Sequence, residues 1–513
     1  MSISSGMYHF LARPRRFGKS LLCFTIAELF QGDAKLFEGL YIYDKWDFLA
    51  EKRPVIHIQM DLFRSDIANE FTTKISDFLR ELAAQNDFSL TSRDCPMNTL
   101  LRELVTNLHH KHGKRVVVII DEYDTPLHNC MNRPEELEAM RNVLSKLYGV
   151  LKPLEQHLRL VYLTGILKFS NLSLFSELNN IKDHTFRINL SGICGFSREE
   201  LESNFGSHLH RFAADVDMSY DELLSELTTQ FNGYCFAVNT HRPGRLPPTV
   251  VNPFAINRAI EDHTFKDTWI ESGHSGQLVS LIVKNRAGGK ALENLAISLE
   301  DLDSISTPSE LSYQCLMYYA GYSTIRGYNH ETGMVTLAPP TDSIGQNVMK
   351  VIAQTIFKVS VDKKDLELAR QLVNEIFSTE YDEGQQVKAL KRILNDVVLL
   401  FPWQLLKTSK ALESTYNVML TSFLRLGCLD HTYIGNEVSV STGDMECAIE
   451  SKDKAVVAIL EYKLCNSALV AMNQMKRNRF AADRFQDKAV IFVAINITKD
   501  RTVQVLIERT AGR

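Results

Sequence analysis

The sequence has 513 residues, of which 45% are hydrophobic and 23% charged, so we expect a soluble globular protein of two to four domains. Its formal net charge of −5 argues against a surface coated in positive charge, and contact with nucleic acid would come from local patches. The nine cysteines include no C-x-x-C pair, which indicates reduced thiols and disfavours a zinc site. No aliphatic run has the length of a membrane span and no signal-peptide core precedes the first arginines. We therefore expect an intracellular, cytoplasmic protein without membrane contact.

A basic turn follows the first apolar segment. "MYHFLA" is typical of a strand, "RPRRFGKS" of a loop and "LLCFTIAELFQG" of a helix. The loop ends like a phosphate-binding P-loop, G-x-x-x-x-G-K-[ST], because Gly18, Lys19 and Ser20 supply its second half. In such a loop, N–H groups at the helix start surround a phosphate, the lysine neutralises it and the hydroxyl ligates Mg²⁺. Arg13 stands where the first glycine belongs, so it would either change the loop's shape or add its charge to the phosphates.

The next informative stretch is a buried strand that ends in acids. "VVVIIDEYD" has the continuous β-branched run of a strand covered on both faces of a parallel sheet, and it leads into Asp121 and Glu122. With a P-loop upstream, this pattern indicates a Walker-B strand, in which Asp121 lies near Mg²⁺ and Glu122 polarises water. The alternative is that both acids cap the following turn. Thr164 and Lys168 follow the next strand, "LRLVYLTGILKFS", in a position typical of a nucleotide sensor.

Strands that alternate with helices predict an α/β fold, here a P-loop NTPase parallel sheet with helices on both faces. From about residue 197 the pattern becomes helical, and the stretch 310–340 indicates a helix followed by a hairpin, as in a winged helix. The last hundred residues return to α/β, with strands in "NEVSVS", "ECAIES", "AVVAILEYKL" and "KAVIFVAIN". We predict a P-loop core at 1–205, a small helical lid-like domain at 206–285, a helical or winged-helix-like region at 286–400 and an α/β domain at 401–513.

Several motifs of the N-terminal half resemble one family. They are "FLARPRRFGKSLL", "VVVIIDEYDTPL", "LTGILKFSNLSLFSELNNIKDHT", "GICGFSREEL", "FNGYCF" and "VNPFAI". Residues 7–260 thereby resemble the predicted AAA-ATPase-like family, whose members carry RPRRFGKS with arginine in place of the first glycine. The resemblance implies an ATP-binding loop in which Arg15 and Arg16 join Arg13 in adding positive charge. It also implies a C-terminal restriction-endonuclease-like domain of the PD-(D/E)XK nuclease superfamily. A structural turn is the default interpretation of "NGYCF".

The strand "AVVAILEYKL" presents Glu461 and Lys463 on one sheet face. E-x-K after an apolar strand is the second half of a PD-(D/E)XK site, in which the carboxylate holds a divalent metal and the lysine activates water. The alternative is an exposed ion pair of little energetic weight. By resemblance, Glu446 stands at the position of the expected aspartate and Asp444 at that of an arginine, so either acid could be the second metal ligand. Two further side chains are expected to support this site, Glu413 and Gln474.

These patterns support two functional hypotheses. The first is an ATP-dependent switch or motor coupled to a metal-dependent nuclease domain, with ATP and Mg²⁺ as cofactors and Mn²⁺ as an alternative metal in the nuclease site. Its expected partner is nucleic acid, DNA more than RNA, and a homo-oligomer is compatible with it. The second is a nucleotide-regulated interaction protein whose nuclease fold binds without cleaving. Metal-dependent cleavage of DNA or RNA separates the two.

Overall fold

The computed structural model describes most of residues 6–510 in two compact units. One unit comprises Met1–Trp269 with Ala296–Pro340, and the other Ile270–Leu295 with Thr341–Arg513. The predicted boundaries at 205, 285 and 400 are finer than this division and stay predictions. The ranges outside the description are 91–94, 132, 170–180, 240–246, 266–294, 304–310, 342–343, 346–362, 380–381, 401–419, 422, 426, 429–430, 441–442, 478–484, 486 and 499. The backbone alone is described for residues 295, 363, 432–440 and 443–446.

The first unit is built on a five-stranded sheet. Its strands are β1 (Tyr8–Ala12), β2 (Val55–Gln59), β3 (Val116–Asp121), β4 (Leu158–Gly165) and β5 (Lys182–Asp183). They lie in the order β2-β3-β4-β1-β5, and every neighbouring pair is parallel. The predicted α/β fold with a parallel sheet is therefore confirmed.

Both faces of the inner strand β3 are covered. Each of its six residues is buried, as the continuous run of β-branched side chains predicts. On one face, Val117 and Ile119 belong to a core cluster with Cys23, Ile26 and other side chains of the first helix. The helices that accompany the sheet are α1 (Lys19–Gln31), α2 (Ala68–Gln85), α3 (Met97–His112), α4 (Thr125–Cys130) and α5 (Pro134–Gly149).

Five further helices and a small sheet belong to the first unit. Ser197 and Ser219 each begin a helix with a capping box, in which a glutamate three residues later bonds back to the serine's N–H. The predicted helix and hairpin within 310–340 are present, and their strands join one more in a three-stranded sheet of order β6-β8-β7. These elements are α6 (Arg198–Asp215), α7 (Tyr220–Phe231), α8 (Pro253–Asp262), β6 (Leu295–Ser298), α9 (Leu299–Asp303), α10 (Tyr313–Tyr319), β7 (Thr324–Tyr328) and β8 (Met334–Ala338).

The second unit contains a mixed sheet of five strands in the order β13-β12-β11-β10-β9. Strands β11 and β12 are parallel and joined by a helix, whereas the other neighbours are antiparallel. All four strands predicted for this region are present. The elements are α11 (Lys363–Phe377), α12 (Glu383–Leu400), β9 (Thr432–Val440), β10 (Gly443–Glu450), β11 (Val456–Leu464), α13 (Ala468–Arg477), β12 (Ala489–Ile497) and β13 (Val503–Thr510). The endonuclease-like character of this sheet stays a prediction.

Among the described residues, no helix is both long and apolar enough to cross a bilayer.

Candidate functional site

The carboxyl ends of β1, β3 and β4 meet at one edge of the first sheet. Because β4 lies between the other two strands, the register pairs Leu11 with Thr164 on one side and Ile120 with Leu163 on the other. The loop after β1, the acids at the end of β3 and Thr164 therefore share this edge. In open parallel sheets, ligands bind at the carboxyl ends of strands.

The loop after β1 delivers Lys19 to this edge at the first position of α1. Gly18 caps the helix in the left-handed conformation, with φ of 80°, and as a glycine it offers no side chain to the N–H groups of the first turn. Lys19 is 5% exposed, and its Nζ donates to the Pro14 carbonyl at 3.1 Å. Burial lowers the pKa of Lys19, and the nearby acids Glu122 and Asp121 oppose that shift. The site thus has a buried amine at a helix start. Ser20 follows it and is half-buried.

The two acids predicted as a Walker-B pair are held by threonines. The Thr164 hydroxyl, which is fully buried, donates to Oδ1 of Asp121. Glu122 has a φ of 54°, in the left-handed region that residues other than glycine rarely adopt. Its carboxylate accepts a 3.1 Å hydrogen bond from the Thr125 hydroxyl. Burial raises the pKa of Glu122, whereas the charge of Lys19 lowers it. Their predicted roles toward Mg²⁺ and water stay predictions, as does the predicted sensor role of Thr164.

Arg13 is the least exposed charged side chain of the loop, at 1%. Its guanidinium donates to the carbonyl oxygens of Ala12 at 2.9 Å, Thr185 at 2.8 Å, Leu190 at 3.0 Å and Ile193 at 3.4 Å. Among the described residues, no carboxylate forms an ion pair with it. These contacts favour the first of the two predicted roles, a changed loop shape. A charge placed on the phosphates stays a prediction for Arg13.

The sequence motifs that resemble the family surround this loop. Phe17 packs edge-to-face against Tyr234, with ring centroids 4.8 Å apart, and against Phe236 at 5.0 Å. The Arg13 guanidinium lies 4.6 Å from the centroid of the Phe236 ring. Aromatic rings of the "NGYCF" motif thus pack against Phe17 and Arg13 of the P-loop. The motif therefore has a packing role in addition to the structural turn predicted for it.

The other two arginines of the loop differ from Arg13. Arg16 is exposed, has a φ of 67° and lies over the ring of Phe254 at 4.6 Å. Asn252 positions that ring, because its side chain caps α8 by accepting from the N–H of Phe254 at 3.0 Å. Arg15 is half-buried, and its Nε has no hydrogen-bond partner among the described residues. Both arginines remain candidates for contact with an anion.

Lys168 lies farther along the edge and is bound by two carboxylates. Its Nζ is 2.7 Å from Asp183 and 3.0 Å from Asp303. Burial alone would lower the pKa of Lys168, but the two acids outweigh it and raise the pKa. The contacts favour a structural role, and a sensor role stays a prediction.

Sequence reasoning missed Asp124, the third acid of the "DEYD" run. Its carboxylate is fully buried and accepts from the N–H of Ile166 at 3.1 Å and of Leu167 at 2.8 Å. It thereby joins the end of β3 to the end of β4. A side chain at Gly165 would place its Cβ 2.6 Å from Oδ1 of Asp124, so this position requires glycine. The His128 imidazole, 3.3 Å from Asp124, stays neutral because burial lowers its pKa to about 3. The Walker-B pattern gave no indication of a role for Asp124, because that pattern includes only the two acids Asp121 and Glu122.

The second unit brings together Glu461 and Lys463 on β11. Glu461 is 0% exposed, and the Nζ of Lys463 donates to it at 3.1 Å. The pair is therefore not the exposed ion pair of the alternative interpretation. Val457 and Ile459, which share this face by alternation, belong to one core cluster with the helix α13. Gln474 is a half-buried residue of that helix.

The acids predicted as second metal ligands lie on the neighbouring strand β10. Its antiparallel register with β11 pairs Cys447 with Leu460. The side chains of Asp444 and Glu446 and the whole of Glu413 lie outside the described residues. Their roles stay predictions.

The part of the chain that contains the first site is similar to a known protein family. Residues 2–175 match the family model described as Predicted AAA-ATPase. The chain carries an AAA-ATPase-like domain over this range. The domain includes the P-loop, Asp121 and Thr164. The resemblance to this family is confirmed for these residues, whereas the C-terminal nuclease domain stays a prediction.

One curated relative and three solved structures are similar to the chain. An uncharacterized protein in the vnfD 5′ region of Azotobacter chroococcum mcd 1 is 33% identical over 323 residues, which are 63% of this chain and 58% of the relative. The chain thus spans less than two thirds of that relative's length. The Aeropyrum pernix ORC1 protein in complex with DNA has a TM-score of 0.23 at 10% identity and covers 69% of this chain and 88% of its own. The Aeropyrum pernix ORC2 protein has a TM-score of 0.25 at 13% identity, with 69% and 89% covered. Cdc6p from Pyrobaculum aerophilum has a TM-score of 0.23 at 11% identity, with 68% and 88% covered. TM-scores this low do not establish a shared fold between these proteins and this chain.

We expect the stability contributed by Asp124 to depend on pH. Burial raises the pKa of Asp124 from 3.8 to about 6. The folded state therefore binds this proton more tightly than the unfolded state. The resulting contribution to the unfolding free energy is fully present below pH 3.8 and is lost as the pH rises through about 6. In Asp124→Asn this contribution is absent. The unfolding free energy of wild type minus that of the variant should fall by about 2 kcal/mol between pH 4 and pH 7. Urea unfolding across that range measures it, and a difference that stays constant or rises contradicts the assignment.

Proposed function

We propose that the AAA-ATPase-like domain binds and hydrolyses ATP with Mg²⁺. The observation that carries the proposal is the buried Lys19 amine at the start of α1. Among the described residues, it donates to one neutral carbonyl and has no carboxylate within ion-pair distance. A buried ammonium is costly unless an anion compensates it, and the first turn of a helix offers N–H groups to that anion. A nucleotide phosphate satisfies both needs, so the residues fit the ligand.

The proposed roles follow from the position of each side chain. Lys19 neutralises phosphate charge, and Ser20 and Asp121 would hold the Mg²⁺. Thr164 keeps the carboxylate of Asp121 in one orientation. Glu122 orients water and accepts its proton. Burial raises the pKa of Glu122, which strengthens it as a base, and the neighbouring charge of Lys19 opposes that rise. When bound, Mg²⁺·ATP supplies the phosphoanhydride bond and the metal charge that offsets negative charge on the phosphates.

Two substitutions test this function separately. Lys19→Ala should weaken ATP binding about 100-fold or more, because a charge-assisted contact is lost. Glu122→Gln should bind ATP normally and hydrolyse it about 100-fold more slowly, because the amide keeps the shape but cannot accept a proton. Calorimetric titration and phosphate release measure these effects. The exposed Lys152→Ala serves as the matched control.

Normal ATP affinity in a folded Lys19→Ala protein would refute the nucleotide site. Normal hydrolysis by Glu122→Gln would refute the role of Glu122 and leave the binding site intact. DNA and RNA added to the same assay test whether nucleic acid changes the rate of hydrolysis.

A second activity, metal-dependent cleavage of nucleic acid, is favoured by the buried pair Glu461 and Lys463. A fully buried carboxylate that accepts a hydrogen bond from a lysine is more typical of a catalytic or metal-binding site than of a surface ion pair. The register that pairs Cys447 with Leu460, continued along both strands, sets Glu446 opposite Glu461 and Asp444 opposite Lys463. Two acids from adjacent strands could hold Mg²⁺ or Mn²⁺. The competing proposal is a domain of the same fold that binds a partner without cleaving.

We expect Mn²⁺ or Mg²⁺ to raise the melting temperature of the full chain, because a cation between two acids relieves their repulsion. This shift should be lost in Glu461→Gln and kept in Glu508→Gln, whose carboxylate pairs with Lys476 elsewhere in the same unit. Cleavage of DNA should fall to background in Lys463→Ala. Comparison of Glu446→Ala with Asp444→Ala identifies the second acid. If neither metal shifts the melting temperature and wild type cleaves no better than Glu461→Gln, the non-cleaving interaction module replaces the nuclease.

A further inference from the structure

Three side chains with different metal-binding atoms meet beneath the first turns of α1. They are Cys23 of α1, His57 of β2 and Asp121 of β3, and their donor atoms all lie within 4.8 Å of one another. Cys23 and Asp121 are buried, at 0% and 3% exposure, and His57 is half-buried on the edge strand. The cluster thus combines a thiol, an imidazole and a carboxyl group.

The sheet register explains this meeting. In the parallel pair of β2 and β3, His57 lies beside Ile119 and Gln59 beside Asp121. Side chains two residues apart on a strand share a face, so His57, Ile119 and Asp121 all project from the same side. Cys23 belongs to the core cluster that covers Ile119 on that side. The three donors are therefore fixed by the sheet and by the helix packed on it.

The imidazole of His57 gives an independent indication of a ligand. Its Nε2 is buried and has no hydrogen-bond partner among the described residues. The ring is held by Phe24, which contacts it edge-to-face with centroids 4.8 Å apart. Buried polar atoms are normally paired, and an unpaired imidazole nitrogen close to a thiol and a carboxylate is suited to a metal.

We propose that Cys23, His57 and Asp121 bind a zinc ion. Thiolate, imidazole and carboxylate are the ligands of Zn²⁺, and three protein ligands leave a fourth position for water. Mg²⁺ prefers oxygen ligands and has little affinity for a thiol, so this set discriminates against it. Zinc binding converts the Cys23 thiol to a thiolate and releases its proton to solvent. The Thr164 hydroxyl, bonded to Asp121, orients the carboxylate as an outer partner.

The site shares Asp121 with the proposed magnesium site. One carboxylate oriented toward zinc is removed from Mg²⁺, so zinc should inhibit ATP hydrolysis in competition with magnesium. This inhibition rests on the proposed ATPase, whereas zinc binding itself does not. Magnesium, which needs neither Cys23 nor His57, should support normal ATP hydrolysis in variants of both.

Metal binding is tested on the full chain with Co²⁺ as a spectroscopic probe and Zn²⁺ in competition with a chromophoric chelator. Wild type should bind one Co²⁺ with a thiolate-to-cobalt charge-transfer absorption. Cys23→Ala should lose this absorption, and Cys130→Ala, which removes another fully buried thiol, should keep it. Zinc affinity should fall at least about 100-fold in both Cys23→Ala and His57→Gln. His109→Ala, at a surface histidine pair with Nδ1 atoms 2.9 Å apart, should leave the charge-transfer band unchanged.

Absence of the charge-transfer band in wild type, or the same zinc affinity in His57→Gln as in wild type, overturns the proposal. The half-buried position of His57 keeps this variant informative even if Cys23→Ala does not fold. If the metal binds as expected but the protein hydrolyses no ATP, the proposed function fails and the zinc site stands. If ATP hydrolysis is present and zinc inhibits Cys23→Ala as strongly as wild type, the link between the two sites is refuted.

Discussion

A buried guanidinium that has no carboxylate partner among the described residues holds the loop after β1 in place. Arg13 leaves water completely, and its charge is compensated by four carbonyl oxygens and the face of Phe236. A buried charge is tolerated only when its hydrogen bonds are satisfied. The three carbonyls from Thr185 to Ile193 must therefore stay close to the loop. This requirement holds the loop after β1 against the segment that follows β5. The positive charge of Arg13 therefore lies within the protein, behind the site.

The same edge of the sheet concentrates negative charge in front of that loop. Asp121 and Glu122 lie near enough to Lys19 for their charges to oppose the fall in its pKa that burial causes. Asp124 instead accepts hydrogen bonds from N–H groups that follow β4 and joins the two strand ends. One run of acids thus divides into a pair available to a ligand and one acid used for structure. The division follows from the sheet geometry, because Thr164 on β4 meets the first acid while the N–H groups just after it meet the last. A ligand that carries both phosphate and a divalent cation matches this distribution of charge.

The parts of this site that are contiguous in the chain could be predicted from the sequence. Strand, loop and helix around Lys19 follow from local periodicity, and the apolar run before Asp121 identified the buried strand β3. The sequence could not decide between the two roles predicted for Arg13, because its main acceptors lie 172 or more residues away. The proximity of Cys23 and His57 could not be predicted either, because no spacing in the sequence relates a residue of α1 to one of the edge strand β2. In the second unit, strand alternation predicted the contact of Glu461 with its lysine, but not its complete burial.

We infer that Arg13 shapes the loop from within the protein, whether or not a phosphate is bound. The most direct measurement is the thermal unfolding of ligand-free Arg13→Lys beside wild type, followed by ATP titration of both. A lysine keeps the charge but cannot reach four carbonyls with one amine, so we expect a loss of about 3 kcal/mol or more in the absence of nucleotide. A ligand-free variant as stable as wild type, with its deficit confined to ATP affinity, would contradict the account and assign the arginine to the phosphates.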